Sequence, residues 1–163
     1  MERTKADYER LIAELDEDLA MLSSLLEKNR KAAERIGAGA SDELDWAALG
    51  YTIHNLYCCF ESYFLRISKF FENGLDPTSW QAELVGRMTL ELPTTRPSLF
   101  DKAYARRMDE LRRFRHAFRN VYQDGLDPGR LKTLQDDVPS LVADFKPFHE
   151  RFRAALMLLI KRL

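Results

Sequence analysis

The sequence lacks any apolar run long enough to cross a lipid bilayer, and its first residues are polar. A transmembrane helix needs about 20 consecutive apolar residues, and a secretory signal peptide needs an apolar core, so we expect a cytoplasmic protein that does not enter a membrane. Net charge is nearly absent too, because 25 Lys and Arg side chains oppose 26 Asp and Glu side chains. An anion site must therefore arise from local clustering of basic residues.

Cysteine is scarce as well, since Cys58 and Cys59 are the only two and lie side by side in a predicted helix. Neighbouring helical positions point in different directions, which disfavours a disulfide between them. Metal ligands are normally spaced further apart. We therefore predict two reduced, buried thiols, with neither a metal site nor another cofactor.

Strand-like alternation of apolar and polar residues is missing, whereas helical periodicity runs along most of the chain. Hydrophobic residues make up 45% of the sequence and charged residues 31%, an ordinary composition for a globular protein. A length of 163 residues suits one domain with one core. The pattern predicts an all-α fold in which four long helices form an antiparallel up-and-down bundle, within a single domain spanning residues 1–163.

The first two long helices have the clearest boundaries. In the first, apolar residues recur in steps of three and four, with Asn29 as the only interruption, and Gly37 begins the break that ends it. The second begins near Ser41 or Asp42, which are both good N-cap residues, and runs to about residue 71. Its wide apolar face is typical of a central helix or of a homodimer interface, and we predict both roles.

A short extra helix is predicted between the second and third long helices, over residues 79–90, with Trp80 as its anchor. The third long helix opens at Ser98, with Asp101 as a capping acid, and continues to about Tyr122.

The fourth long helix covers residues 128–163. Pro139 is a candidate for its true start, and Pro147 predicts a kink, because proline removes a backbone hydrogen bond. His149 is predicted to be a surface residue.

Residues 112–122 form a dense basic segment on the third long helix. On a helical wheel with about 100° per residue, Arg115 and Tyr122 fall on the same side as the apolar residues. A fixed charge on the core side of a helix needs either a partner or a wet cleft. Arg115 is therefore the most informative residue of the segment.

The outer arginines of this helix are interpreted as a solvated surface. Asp109 and Glu110 lie at suitable spacing to pair with Arg112, Arg113 or Arg106, and surface pairs of this kind are common and weak. The arginines interpreted as solvated surface are Arg106, Arg107 and Arg113.

Two interpretations of Arg115 remain open. The functional one is a phosphate-binding site, with Arg112 and Arg119 beside it, because guanidinium is a planar fork that suits phosphate. The hydroxyl of Tyr122 would lie near that phosphate. The structural one is a buried arginine satisfied by a carboxylate or by carbonyl groups of a neighbouring helix.

The basic segment resembles the motif helix of the HEPN superfamily, and specifically of HepT-like proteins. That motif consists of an arginine, a polar residue, three variable residues, a histidine, one further residue and a tyrosine. The corresponding positions here are Arg115, His116, Asn120 and Tyr122. The resemblance covers most of residues 51–127 and includes His54, Glu61, Trp80 and Arg96.

The resemblance implies a homodimer in which the two motifs face each other across a cleft. It implies a metal-independent endoribonuclease that acts as a toxin. Its usual partner is an MNT-type nucleotidyltransferase, which acts as antitoxin by transferring AMP to the motif tyrosine, here Tyr122. The implied catalytic set is Arg115, His116, Asn120 and Tyr122, and the implied RNA-phosphate contacts are Arg112 and Arg119.

This chemistry needs two groups. Cleaving RNA through its own 2′-hydroxyl requires a side chain that moves protons near neutral pH, as histidine does, and a fixed cation for the charged phosphorane. Asn120 can only donate and accept hydrogen bonds, so His116 is the candidate to replace the motif histidine. Two alternatives remain: a non-catalytic subunit that binds a nucleotide or a partner protein, and a purely structural dimer.

Overall fold

The computed structural model describes residues 3–72, 74–75, 78–120 and 125–163. These residues contain five α-helices and no β-strand, which confirms the predicted all-α class for the part of the chain that is described. The helices are α1 (Lys5–Gly37), α2 (Glu43–Phe71), α3 (Trp80–Arg87), α4 (Lys102–Arg119) and α5 (Pro128–Ile160). None of them is long and apolar enough to span a membrane.

Acidic N-caps fix where α2 and α4 begin. Asp42, one of the two predicted caps, caps α2, and it forms a reciprocal capping box with Asp45. The prediction that the third long helix opens at Ser98 is wrong, because Asp101 is the cap and accepts a hydrogen bond from the Tyr104 amide at 2.7 Å. A carboxylate at this position satisfies amides that have no partner within the helix.

The C-terminal end of α4 also differs from the prediction. The helix ends at Arg119, with Asn120 as its C-cap, and does not continue through residue 120. Tyr122 lies outside the described residues.

The helices on either side of α4 have corrected limits as well. Helix α3 is shorter than predicted at both ends. Helix α5 begins after the N-cap Asp127 and contains both Pro139 and Pro147, so Pro139 does not mark its start.

Helix α2 packs against each of the other four helices. Its side chains Phe60, Tyr63 and Phe64 are fully buried and pack edge-on against the ring of Phe145 on α5. Phe64 also contacts Phe100, just before α4. This central position accounts for much of the wide apolar face that the sequence predicts for α2.

The one polar residue in the apolar stripe of α1 is fully buried and fully bonded. Asn29 Nδ2 donates to Gln135 Oε1 at 2.8 Å and to Thr52 Oγ1 at 3.0 Å, and Gln135 Nε2 donates back to Asn29 Oδ1 at 2.8 Å. A buried polar network satisfied in this way fixes the register of the helices that it joins, here α1, α2 and α5.

His149 is buried, with 4% of its surface exposed, so its predicted surface position is wrong. Its Nδ1 lies 2.9 Å from the Tyr63 hydroxyl, and its Nε2 lies 3.0 Å from Asp16 Oδ1. The neutral ring can accept from the phenol and donate to the carboxylate at once. These two partners satisfy a polar ring in the core, which the sequence pattern of α5 alone does not reveal.

We expect this buried ring to make the fold sensitive to acid. Burial lowers the pKa of His149 below its usual value of about 6.5, even though Asp16 acts in the opposite direction. The unfolded state therefore binds more protons than the folded state as the pH falls below that value, and stability is lost. In urea unfolding between about pH 5 and 8, the free energy of unfolding should fall more steeply with decreasing pH for the wild type than for His149→Gln.

The difference between the two proteins isolates His149. His54, whose pKa is also lowered by burial, is present in both and contributes equally. If the free energy of unfolding depends on pH in the same way in both proteins, His149 is not the cause of the loss of stability in acid.

A buried ion pair joins the end of α2 to the loop before α4. The Arg96 side chain is fully buried, and its Nε donates to Glu72 Oε1 at 2.8 Å. Its remaining N–H groups donate to the carbonyls of Arg87, Leu90 and Pro97. This single side chain therefore fixes the end of α3 and the loop that leads into α4.

Candidate functional site

The basic residues near the end of α4 line a pocket of about 530 Å³. The opposite wall comes from the start of α3 and the two residues before it. This volume lies within the range of about 300–1,000 Å³ that is typical of small-ligand sites. The residues that line the pocket are Thr78, Ser79, Gln81, Ala82, Arg112, Arg115, His116, Arg119 and Asn120. The pocket thus unites every predicted site residue except Tyr122, which lies outside the described residues.

Arg115 is the innermost cation of the pocket, with 17% of its side chain exposed. Its Nη2 lies 3.4 Å from Glu61 Oε1, and its Nε donates to Cys58 Sγ at 3.5 Å. The sequence predicts that Arg115 needs either a partner or a wet cleft, and it has both. One edge of the guanidinium faces α2, and the residue also lines the pocket.

Glu61 is a buried carboxylate to which the sequence analysis assigned no role in the site. Burial raises the pKa of Glu61, although Arg115 and Arg119 act in the opposite direction. The signal that could have revealed it is a charged residue inside the apolar segment of α2, one turn after Tyr57.

The other arginines of α4 fall into two groups. Arg112 and Arg113 both pair with Asp109, as predicted. Arg107 instead bridges to Asp137 and Asp144 on α5.

His116 and Arg119 are the exposed basic residues of the pocket. Among the residues that the structure describes, neither side chain has a hydrogen-bond or ion-pair partner. They are therefore available to bind an anion in the pocket without first breaking a contact.

Asn120 lies at the mouth of the pocket and is exposed. Its Nδ2 donates to the backbone carbonyl of His116 at 2.8 Å, one turn earlier. The amide oxygen can still accept a hydrogen bond, but neither amide atom can carry a proton between reactants near neutral pH.

The predicted pair of buried thiols is only half correct. Cys59 is buried, whereas Cys58 is half-buried beside the pocket, and both are free. Cys58 Sγ lies 3.5 Å from His54 Nε2, so His54 belongs to the same polar layer behind Arg115. The described residues include no group of three His, Cys, Asp or Glu side chains that could hold a metal ion.

Helices α2 and α4 approach each other closely at Gly50. A Cβ at this position would lie 2.9 Å from the ring of Phe118, which packs against His54 with ring centroids 5.4 Å apart. The absence of a side chain at Gly50 therefore lets the end of α4 lie against α2, and this places Arg115 and Arg119 at the pocket.

Comparison with known proteins gives one family. A family model described as HepT-like protein matches residues 48–156, more than half of the chain and all of the pocket. No curated protein and no solved structure matches the chain.

Proposed function

Because the chain belongs to the HepT-like family of HEPN proteins, we propose that its basic pocket binds RNA phosphates and cleaves RNA without a metal ion. The observation that carries this proposal is that Arg115, His116 and Arg119 line one pocket. A fixed cation and a proton-transfer group are the two requirements of cleavage by the 2′-hydroxyl.

In the proposed reaction, His116 accepts the proton of the 2′-hydroxyl, and the freed oxygen attacks the adjacent phosphorus. The bond from phosphorus to the 5′-oxygen breaks, this leaving oxygen takes up a proton from water, and His116 returns its proton to the solvent. The products are a 2′,3′-cyclic phosphate and a 5′-hydroxyl. Arg115 and Arg119 stabilise the charge that builds on the non-bridging oxygens, and Asn120 donates or accepts a hydrogen bond there.

We further propose that the four long helices form an antiparallel up-and-down bundle within one domain. Contacts between α1 and α2 support this, because Arg3 near the start of α1 donates to the carbonyl of Phe70 at the end of α2. At the opposite ends, Arg35 pairs with Asp45.

A homodimer is the proposed assembly. Leu44 and Tyr51 support it, because they lie on one face of α2 two turns apart and are 78% and 59% exposed. Large apolar side chains exposed on one face often mark an interface.

The proposed partner is an MNT-type nucleotidyltransferase that silences the toxin by transferring AMP to Tyr122. Tyr122 holds the position of the motif tyrosine, and in the sequence it follows Asn120, which lines the pocket, by two residues. An RNA substrate and an intracellular partner both fit a cytoplasmic protein.

The proposal is tested by incubating the purified protein with single-stranded RNA in the presence of a metal chelator. We expect cleavage by the wild type and a loss of roughly 100-fold in rate for His116→Ala, within the range that general acid–base catalysis contributes. RNA binding should survive this change, because Arg115 and Arg119 remain. Equal cleavage by both proteins would exclude His116 as the proton-transfer group. If neither protein cleaves RNA, the proposed ribonuclease activity is excluded.

Asn120 favours a second candidate function. With an amide in place of the motif histidine, the pocket could hold a nucleotide or a partner protein without cleaving RNA. Mass spectrometry after incubation with an MNT-type nucleotidyltransferase and ATP tests this together with the cleavage assay. An added AMP that disappears in Tyr122→Phe supports a binding subunit only where the unmodified protein cleaves no RNA.

A further inference from the structure

An ion pair lies directly behind the pocket. Glu61 is 7% exposed, and its Oε1 faces Arg115 Nη2. Its other oxygen, Oε2, is buried and has no hydrogen-bond partner within the described part of the chain, and the same is true of the Tyr57 hydroxyl. Arg115 is thus the cation on which this carboxylate depends.

Arg115 consequently has two competing partners. Glu61 holds Nη2 of Arg115. An RNA phosphate that bound the guanidinium through Nη2 would draw it away from Glu61 and leave a buried carboxylate with no other ion-pair partner among the described residues. Burial penalises an unpaired charge strongly. The loss of the ion pair with Glu61 therefore reduces the free energy that Arg115 gains from binding a phosphate.

We propose that Glu61 is a positioning residue that competes with RNA phosphate for Arg115 and so limits how tightly the pocket holds RNA. This inference rests on the proposed function and concerns the regulation of the same site. Glu61 acts through Arg115 and does not itself touch RNA.

Asp109 provides a matched comparison, because it pairs with Arg112, which also lines the pocket. Its side chain is 27% exposed, against 9% for Glu61. Water can solvate Asp109 when Arg112 turns towards a phosphate, so its competition is weaker. Removing the charge of Asp109 should therefore matter less than removing that of Glu61.

The test is fluorescence polarisation with a short fluorescein-labelled single-stranded RNA that carries 2′-O-methyl groups throughout, so that it binds without being cleaved. We expect Glu61→Gln to bind roughly tenfold more tightly than the wild type, within the usual range of coupling between two sites. Glu61→Asp, which keeps the charge, should bind much like the wild type. Asp109→Asn should change the affinity less than Glu61→Gln.

The salt dependence adds a readout that a purely structural role would not change. The plot of log Kd against log salt should become steeper for Glu61→Gln, by at most about 0.7, because Arg115 engages a phosphate of the single strand more fully once no carboxylate competes for it. Glu61→Leu removes the charge and the unpaired oxygen together, and the same tighter binding is expected of it should Glu61→Gln not fold.

The outcomes separate the two proposals. If Arg115→Ala weakens binding but neither neutral Glu61 variant tightens it, Glu61 does not compete, and the inference is overturned while the RNA site stands. If neither the wild type nor the neutral variants bind the RNA, the proposed function fails and takes the inference with it.

Discussion

Replacing Arg115 by alanine is expected to lower the rate of RNA cleavage by roughly 100- to 1,000-fold, the loss seen when one donor to a developing oxyanion is removed from an active site. Arg115 is the least exposed arginine of the pocket, so its charge is less screened by water than that of Arg119. Initial rates on single-stranded RNA, measured with a metal chelator present, test this expectation.

Arg113→Ala is the matched control for this experiment. Arg113 lies on the same helix, is 61% exposed and does not line the pocket, so its loss should leave the rate unchanged. Because Arg115→Ala leaves Glu61 buried without its cation, the double variant Arg115→Gln with Glu61→Gln checks that lost activity is not lost folding. A folded Arg115→Ala protein that cleaves at the wild-type rate would remove Arg115 from the mechanism.

Replacing Arg96 by alanine is expected to lower the free energy of unfolding by about 3–5 kcal/mol, the usual cost of removing one partner from a buried ion pair. The change removes the fully buried partner of Glu72 and three hydrogen bonds to backbone carbonyls. Urea unfolding followed by circular dichroism measures the loss.

Arg30→Ala is the control for Arg96. Arg30 pairs with Glu27 and Glu34 on the exposed face of α1, where such pairs contribute little. If the two variants unfold at the same urea concentration, the ion pair of Arg96 does not hold the loop to α2.

The sequence predicts the helices well because caps and apolar periodicity are local signals. Asp42 and the apolar stripe of α1 needed no knowledge of tertiary contacts. The start of α4 was misplaced because Ser98 and Asp101 are both suitable caps, and only the structure distinguishes them. Pro139 was misread because a proline also fits inside a long helix when the lost bond is tolerated.

The site was predicted in part. The helical wheel identified Arg115, because a charged residue among the apolar residues of one helix face can be recognised from the sequence alone. Glu61 and the wall around Gln81 were not identified, since the contacts that matter come from other helices. His149 was misplaced for the same reason, because Tyr63 and Asp16 are far from it in the chain.

The amide pair of Asn29 and Gln135 links two positions that are 106 residues apart. A lineage that exchanged either amide for leucine would leave polar atoms of the other without their partner. Inherited changes at the two positions should therefore occur together, much as a substitution in one strand of an RNA stem is compensated in the other. Asn29 lies outside the segment that matches the family, whereas Gln135 lies within it. Paired changes at these positions would show that the first helix has evolved together with that segment.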